Sequence, residues 1–151
     1  MSSSYSDLKY SDNFWAREFD NVEPEEILLN VLELLRSKIK MPIKITSGPR
    51  TIQKHISIYK SLEKNNHLDG KKWFEAIPWG SRHLPRFGRK LLAVDIKISK
   101  PDKEYFLGKD IYGRLKEVEK ELNIPLGIGI GNHYCHIDID RESPTSWTYS
   151  Y

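Results

Sequence analysis

Two stretches of the chain alternate apolar and polar residues with a period of two, and both carry chemistry on the polar side. In residues 91–98, Leu92, Val94, Ile96 and Ile98 fall on one face, and Asp95 and Lys97 on the other. In residues 134–140, Cys135, Ile137 and Ile139 share a face, while His136, Asp138 and Asp140 share the opposite one. The pattern predicts two strands, each with a core side and a side available to a site. Amphipathic strands with solvated carboxylates follow from the same periodicity.

The remaining elements are read from spacing and punctuation. Ser11 or Asp12 is placed to cap a short helix carrying Phe14, Trp15 and Phe19. Pro24-Glu25-Glu26 suits a helix start, and Ile27, Leu28, Val31, Leu32, Leu34 and Leu35 continue an apolar stripe to about Ile39. Residues 42–46 read as a strand ended by the turn Ser47-Gly48-Pro49, with Arg50 leaving that turn. A helix over 51–64 uses Ile52, Ile56, Tyr59 and Leu62, and one over 110–122 uses Ile111, Leu115, Val118 and Leu122. Between them, 67–80 reads as an ordered loop rich in aromatics. Residues 126–130 form a Gly-interrupted strand, turned by Gly131-Asn132 into the His136 strand as a two-residue hairpin. The expected class is α+β, a small antiparallel sheet packed with helices. Residues 1–10 form a flexible N-terminus, and 11–151 one domain.

Composition narrows the options. The 151 residues are 38% hydrophobic and 30% charged, enough for one substantial core. Twenty-four basic against 21 acidic residues leave a net charge of +3, a mild excess that gives no indication of nucleic-acid binding, although a basic domain with interleaved aromatics is the competing reading from another class. Cys135 is the single cysteine, so neither an intrachain disulfide nor a cysteine-based structural zinc site is available. The polar start lacks the apolar core of a signal peptide, and no run is long enough to span a bilayer. A monomer made in the cytoplasm is the expectation.

His83, Asp95 and His136 supply two imidazoles and a carboxylate, a donor set suited to a catalytic zinc site with one position left open for water. The surrounding motifs carry a resemblance. Ile45-Thr46-Ser47-Gly48-Pro49-Arg50, Ser81-x-His83, Ala93-x-Asp95 and His136-x-Asp138 follow the order and residue types of the D-alanyl-D-alanine carboxypeptidase family of zinc peptidases. That family also includes L-alanyl-D-glutamate endolysins and shares its fold with the hedgehog signalling domain. The segment Ser11-Asp12-Asn13-Phe14-Trp15-Ala16-Arg17-Glu18-Phe19-Asp20 is similar to the N-terminus of its small single-domain branch. The likeness spans 11–147.

The resemblance implies that His83, Asp95 and His136 bind Zn2+, that Arg50 is the catalytic and substrate-binding cation beside the scissile carbonyl, and that Ser81 supports the site or binds substrate. The substrate would be peptidoglycan stem peptides, met at the cell wall after phage-like release or another export route. A catalytically inactive zinc-containing peptide-binding domain is the alternative. The family's usual spacing from first His to Asp is seven residues, and here it is twelve; the extra residues include Arg86, Arg89 and Lys90, a basic loop suited to carboxylate-bearing substrates or merely solvated. Many relatives carry Glu or Asp three residues before the last ligand, where this chain has His133. The general base is therefore either His133, whose parity requires a bend at the turn, or Asp138, which otherwise orients a ligand. His55 and His67 match no part of the pattern and are expected on exposed helix and loop surface.

Overall fold

Five strands form one mixed sheet whose middle row carries the site. The computed structural model describes residues 8–84 and 90–149. A small hairpin comes first, β1 (Lys9–Ser11) with β2 (Phe14–Trp15), followed by a 3-10 turn (Ala16–Phe19). Then come α1 (Glu26–Ile39), β3 (Ile43–Ser47), α2 (Ile52–Lys64), the short α3 (Trp73–Ala76), β4 (Ala93–Ile98), α4 (Gly108–Leu122), β5 (Gly127–Ile130), β6 (Cys135–Asp138) and β7 (Thr145–Thr148). The sheet order is β3-β4-β6-β5-β7. All neighbours are antiparallel except β5 and β7, which run parallel. The fold is therefore mixed α+β; the expected sheet is corrected from antiparallel to mixed by a fifth strand in the segment after Pro144, where no alternation announced one.

One face of the sheet meets the helices. Leu28, Leu32 and Leu35 of α1 and Ile111, Leu115 and Val118 of α4 are fully buried in a cluster with Val94, Ile96, Ile98, Ile128 and Ile137. Both helices end on a residue in the left-handed conformation, Lys40 and Asn123, whose N–H closes the last turn. Thr51 caps α2 by accepting from the N–H of Lys54 at 3.0 Å. Among the described residues, no helix is long and apolar enough to cross a membrane.

Two local expectations are corrected. The aromatic segment is a hairpin and a 3-10 turn rather than a helix capped by Ser11 or Asp12: Ser11 Oγ donates to Glu33 of α1 at 2.6 Å, and the N–H and side-chain amide of Asn13 donate to the same carboxylate at 2.8 and 2.6 Å. Phe14 and Phe19 are nonetheless buried against the core. The β5–β6 connection has four residues, not two: Ile130 pairs with Cys135, and the Gly131 N–H donates to the Tyr134 carbonyl at 2.9 Å. The Tyr134 ring lies where a side chain at position 131 would project, so only glycine fits. The segment 67–80 contains α3, and Pro78 and Gly80 reach the site. Of the flexible N-terminus expected over 1–10, residues 1–7 lie outside the described residues and Lys9 and Tyr10 belong to β1; Arg86 and Arg89 of the basic loop also lie outside them, and Lys90 forms an exposed ion pair with Glu23 at 3.4 Å.

Candidate metal centre

Register sets the site. Ser47, Asp95, His136, Gly129 and Trp147 lie side by side on the five strands, each paired to the next. Asp95 and His136 are thus direct cross-strand neighbours on the face away from α1 and α4, as their parity predicts. His83 comes from outside the sheet. Its Nδ1 lies 2.7 Å from the Gly48 carbonyl, its own carbonyl accepts from the Arg50 N–H at 2.9 Å, and its N–H donates to Ser81 Oγ at 3.3 Å. The neighbouring Arg82 donates to the carbonyls of Ile139 (2.9 Å) and Asp140 (2.8 Å), clipping the turn to the end of β6.

Three acceptor atoms converge there. His83 Nε2 lies 3.1 Å from His136 Nδ1, and Asp95 Oδ1 lies 3.3 Å from the former and 3.0 Å from the latter. The outer partners assign the tautomers: His83 Nδ1–H donates to Gly48, and His136 Nε2–H donates to Asp138 Oδ2 at 2.7 Å. The two inner nitrogens then carry lone pairs, pointed at each other and at a carboxylate oxygen. Neutral, this arrangement is repulsive; a cation at its centre resolves it. Tetrahedral bonds of about 2.0–2.1 Å to nitrogen and oxygen ligands place neighbouring ligand atoms about 3.3 Å apart, close to the separations seen, so the donor set and its spacing fit zinc.

Without a metal, the cluster itself favours positive charge beside Asp95. Burial pushes Asp95 upward, but hydrogen bonds and charge from His136 and His83 hold it far below the ordinary carboxylate range. Burial pulls His136 down, but Asp138 and Asp95 outweigh it and raise it. Cys135 stays a thiol: burial, with Asp95 nearby, pushes it to about 12, and its Sγ donates to the Gly108 carbonyl at 3.2 Å.

Asp138 is buried and fully engaged. Arg141 grips both its oxygens, at 2.6 and 2.7 Å, and His136 takes Oδ2. Burial works against the charge, yet these hydrogen bonds lower the carboxyl to about 2. The geometry is that of a carboxylate orienting a ligand imidazole. Gly127 makes room for it, since a Cβ there would overlap the Asp138 carboxylate and the Arg141 guanidinium. Gly129 does the same for the rings of Trp147 and Tyr149. Trp147 lies 5.3 Å from the His136 ring and carries the Arg141 guanidinium at a similar distance; Tyr149 stacks on Tyr134 at 5.6 Å.

Arg50 stands beside the ligands. Its Nη2 lies 3.5 Å from Asp95 Oδ2 and its Nη1 3.3 Å from His55 Nδ1. His55 is fully buried and His67 half-buried, correcting the expected surface placement. A signal was present for His55, because 52, 55, 59 and 62 share one helical face. His55 is held below the ordinary imidazole value by burial, opposed by its Pro78 hydrogen bond and reinforced by Arg50 and His83. Nothing in the sequence singled out Arg82, Arg141 or Trp147, since each reads alone as an ordinary surface or core residue.

These groups line a cleft of about 740 Å³. Arg50, Ser81, His83, Asp95, His136 and Asp138 all border it, between α2 residues Ile58, Tyr59 and Leu62 on one side and Tyr134, Trp147 and Tyr149 on the other. His133 does not border it; the side chain is exposed on the β5–β6 loop, because the four-residue turn never bends back toward the ligand face. Comparisons of the chain with protein-family models, with curated proteins and with solved structures each found no match. The structure and chemistry together establish a mixed α+β domain with a buried His83–Asp95–His136 cluster able to hold a metal ion.

Proposed function

We propose that this chain is a zinc-dependent peptidase that hydrolyses peptide bonds of peptidoglycan stem peptides, at D-alanyl-D-alanine or L-alanyl-D-glutamate linkages, reaching the cell wall after release or export. One observation carries the proposal: two imidazoles with outer nitrogens committed to Gly48 and Asp138 turn their lone pairs toward each other and toward Asp95 Oδ1, all within 3.3 Å. The motif resemblance supports the substrate class.

His83, Asp95 and His136 would hold the zinc, and when bound it supplies Lewis acidity, polarising a carbonyl oxygen and acidifying water. The protein's own groups do the rest. Gly48 and Asp138 fix the tautomers of the two imidazoles. Arg50 places a cation beside the ligand carboxylate, where a guanidinium stabilises negative charge developing on a substrate oxygen. The α2 side chains and the aromatic wall hold a peptide over the cluster and limit water around it.

A second reading, a metal-dependent peptide-binding domain without turnover, is favoured by one observation. Among the described residues, the carboxylates lining the cleft are Asp95 and Asp138; the former is a ligand and the latter has both oxygens occupied. Purified protein should hold about one equivalent of zinc, lost in His83→Ala and His136→Ala, and full occupancy in both variants would reject the centre. Zinc-loaded protein incubated with whole peptidoglycan and soluble stem peptides should release cleaved products. Retention of those peptides without cleavage selects the binding domain instead.

A further inference from the structure

His55 is the one buried residue of α2 and a polar one, and the mechanism above gives it no part. Its Nε2 lies 2.9 Å from the Pro78 carbonyl, so that nitrogen carries the proton and donates. Nδ1 is left as a bare acceptor, 3.3 Å from Arg50 Nη1. The ring is packed by Tyr59 and Trp79, at centroid distances of 5.2 and 6.3 Å, and a half-turn of it would set carbons where both nitrogens stand and lose the Pro78 bond. Arg50 is therefore held at two points, His55 on one nitrogen and Asp95 Oδ2 on the other. Both contacts are long for hydrogen bonds, so each is weak alone and the direction of the guanidinium rests on the pair. Its Nε has no hydrogen-bond partner among the described residues, and Nη1 would lose the His55 acceptor if position 55 were apolar.

We propose that His55 is a positioning residue: a neutral imidazole that donates to Pro78 and presents Nδ1 to Arg50, fixing the guanidinium against the metal-binding carboxylate. It acts through Arg50 and touches no substrate. The proposal rests on the reading of Arg50 as the cation beside the scissile carbonyl, but its physical content, a guanidinium immobilised by one ring nitrogen, is measurable on its own.

The choice of variants follows from the ring. His55→Asn keeps an oxygen acceptor where Nδ1 stands and gives up the Pro78 bond; His55→Gln keeps a donor toward Pro78 and leaves the Nδ1 position empty. Both are compared with His55→Phe in zinc-loaded protein. The 15N and 1H signals of the Arg50 guanidinium, assigned by their disappearance in Arg50→Lys, report its rotation. Resolved Nη signals in the parent and Asn variant, averaged signals in the Gln and Phe variants, and unchanged zinc content in all three are expected. With stem peptides, kcat should fall about 10- to 100-fold in Gln and Phe with KM little changed, and Asn should recover most of it. Arg50 signals in the Gln variant that superimpose on the parent's would overturn the proposal. So would equal kcat losses in Asn and Gln. If the Phe variant does not fold, the Asn and Gln pair decides. If the parent cleaves nothing, the peptidase reading falls, and the guanidinium signals still decide the role of His55.

Discussion

Arg50 meets Asp95 through Oδ2, at 3.5 Å, while Oδ1 is the oxygen shared with His83 and His136. One carboxylate thus separates its two duties, and the arginine is not part of the metal-binding set. Arg50→Ala should keep about one equivalent of zinc and lose turnover by about 100-fold. Arg50→Lys should rescue little, because a single ammonium cannot span His55 and Asp95. Metal content with steady-state kinetics checks this, and a fully active Ala variant would make Arg50 a structural residue.

Asp138 orients His136 and would act on a bound metal through it. Replacing it with Asn removes the charge that holds Nε2–H and leaves Arg141 without its carboxylate, so zinc affinity should fall about 10- to 100-fold. Competition with a chromogenic chelator measures the change. An unaltered affinity with abolished turnover would instead make Asp138 the general base.

The same residue sets an acid limb for the metal-free protein. Its carboxyl moves from 3.8 to about 2 on folding, so the unfolded chain binds the proton more readily. The resulting stability is complete above about pH 4 and is lost as pH falls through 2. It amounts to about 2 kcal/mol. Urea unfolding between pH 5 and 2 should show the parent losing this amount more than Asp138→Asn; parallel curves would dismiss the linkage.

The glycines of β5 make room for the site. Gly127→Ala drives a methyl into the Asp138–Arg141 pair, and Gly129→Ala drives one into Trp147 and Tyr149. Each should cost about 1–3 kcal/mol, and Gly127→Ala should also weaken zinc binding. Gly113 on α4 is the control. A Cβ there meets nothing within 4 Å, and Gly113→Ala should stabilise the fold by about 0.5–1 kcal/mol. Equal melting of all three variants would remove the packing argument.

Local periodicity was enough to place Asp95 and His136 on one face, because a strand's period fixes which side chains share a side. It also marked α1, α2 and α4, whose stripes are wide. It did not reveal that Ser11 and Asn13 are taken by Glu33, since that is a contact between segments twenty residues apart. Nor did it reveal β7, whose partner is the glycine-rich β5 and whose exposed residues carry no apolar alternation. The direction of His133 stayed open for a related reason: it depends on a turn whose length is set by Tyr134 folding over Gly131 and by Gly108 bonding to Asn132. His55 lay on a visible stripe, but only the Pro78 carbonyl makes burying an imidazole there affordable.

The anchoring of His83 has a consequence for how this site tolerates change. The contacts that hold it are made through Gly48, Arg50, Ser81 and Arg82, residues upstream of the ligand, the last reaching across to the carbonyls of Ile139 and Asp140. On the downstream side the chain is caught again at Leu91, which exchanges hydrogen bonds with Glu23 and Glu25, and at Leu92, which accepts from Ile139. The number of residues between these two anchors is therefore uncoupled from the distance between His83 and Asp95. The interval from His83 to Asp95 is thus held at both of its ends, and an insertion between Leu84 and Lys90 should be accepted without moving a ligand atom.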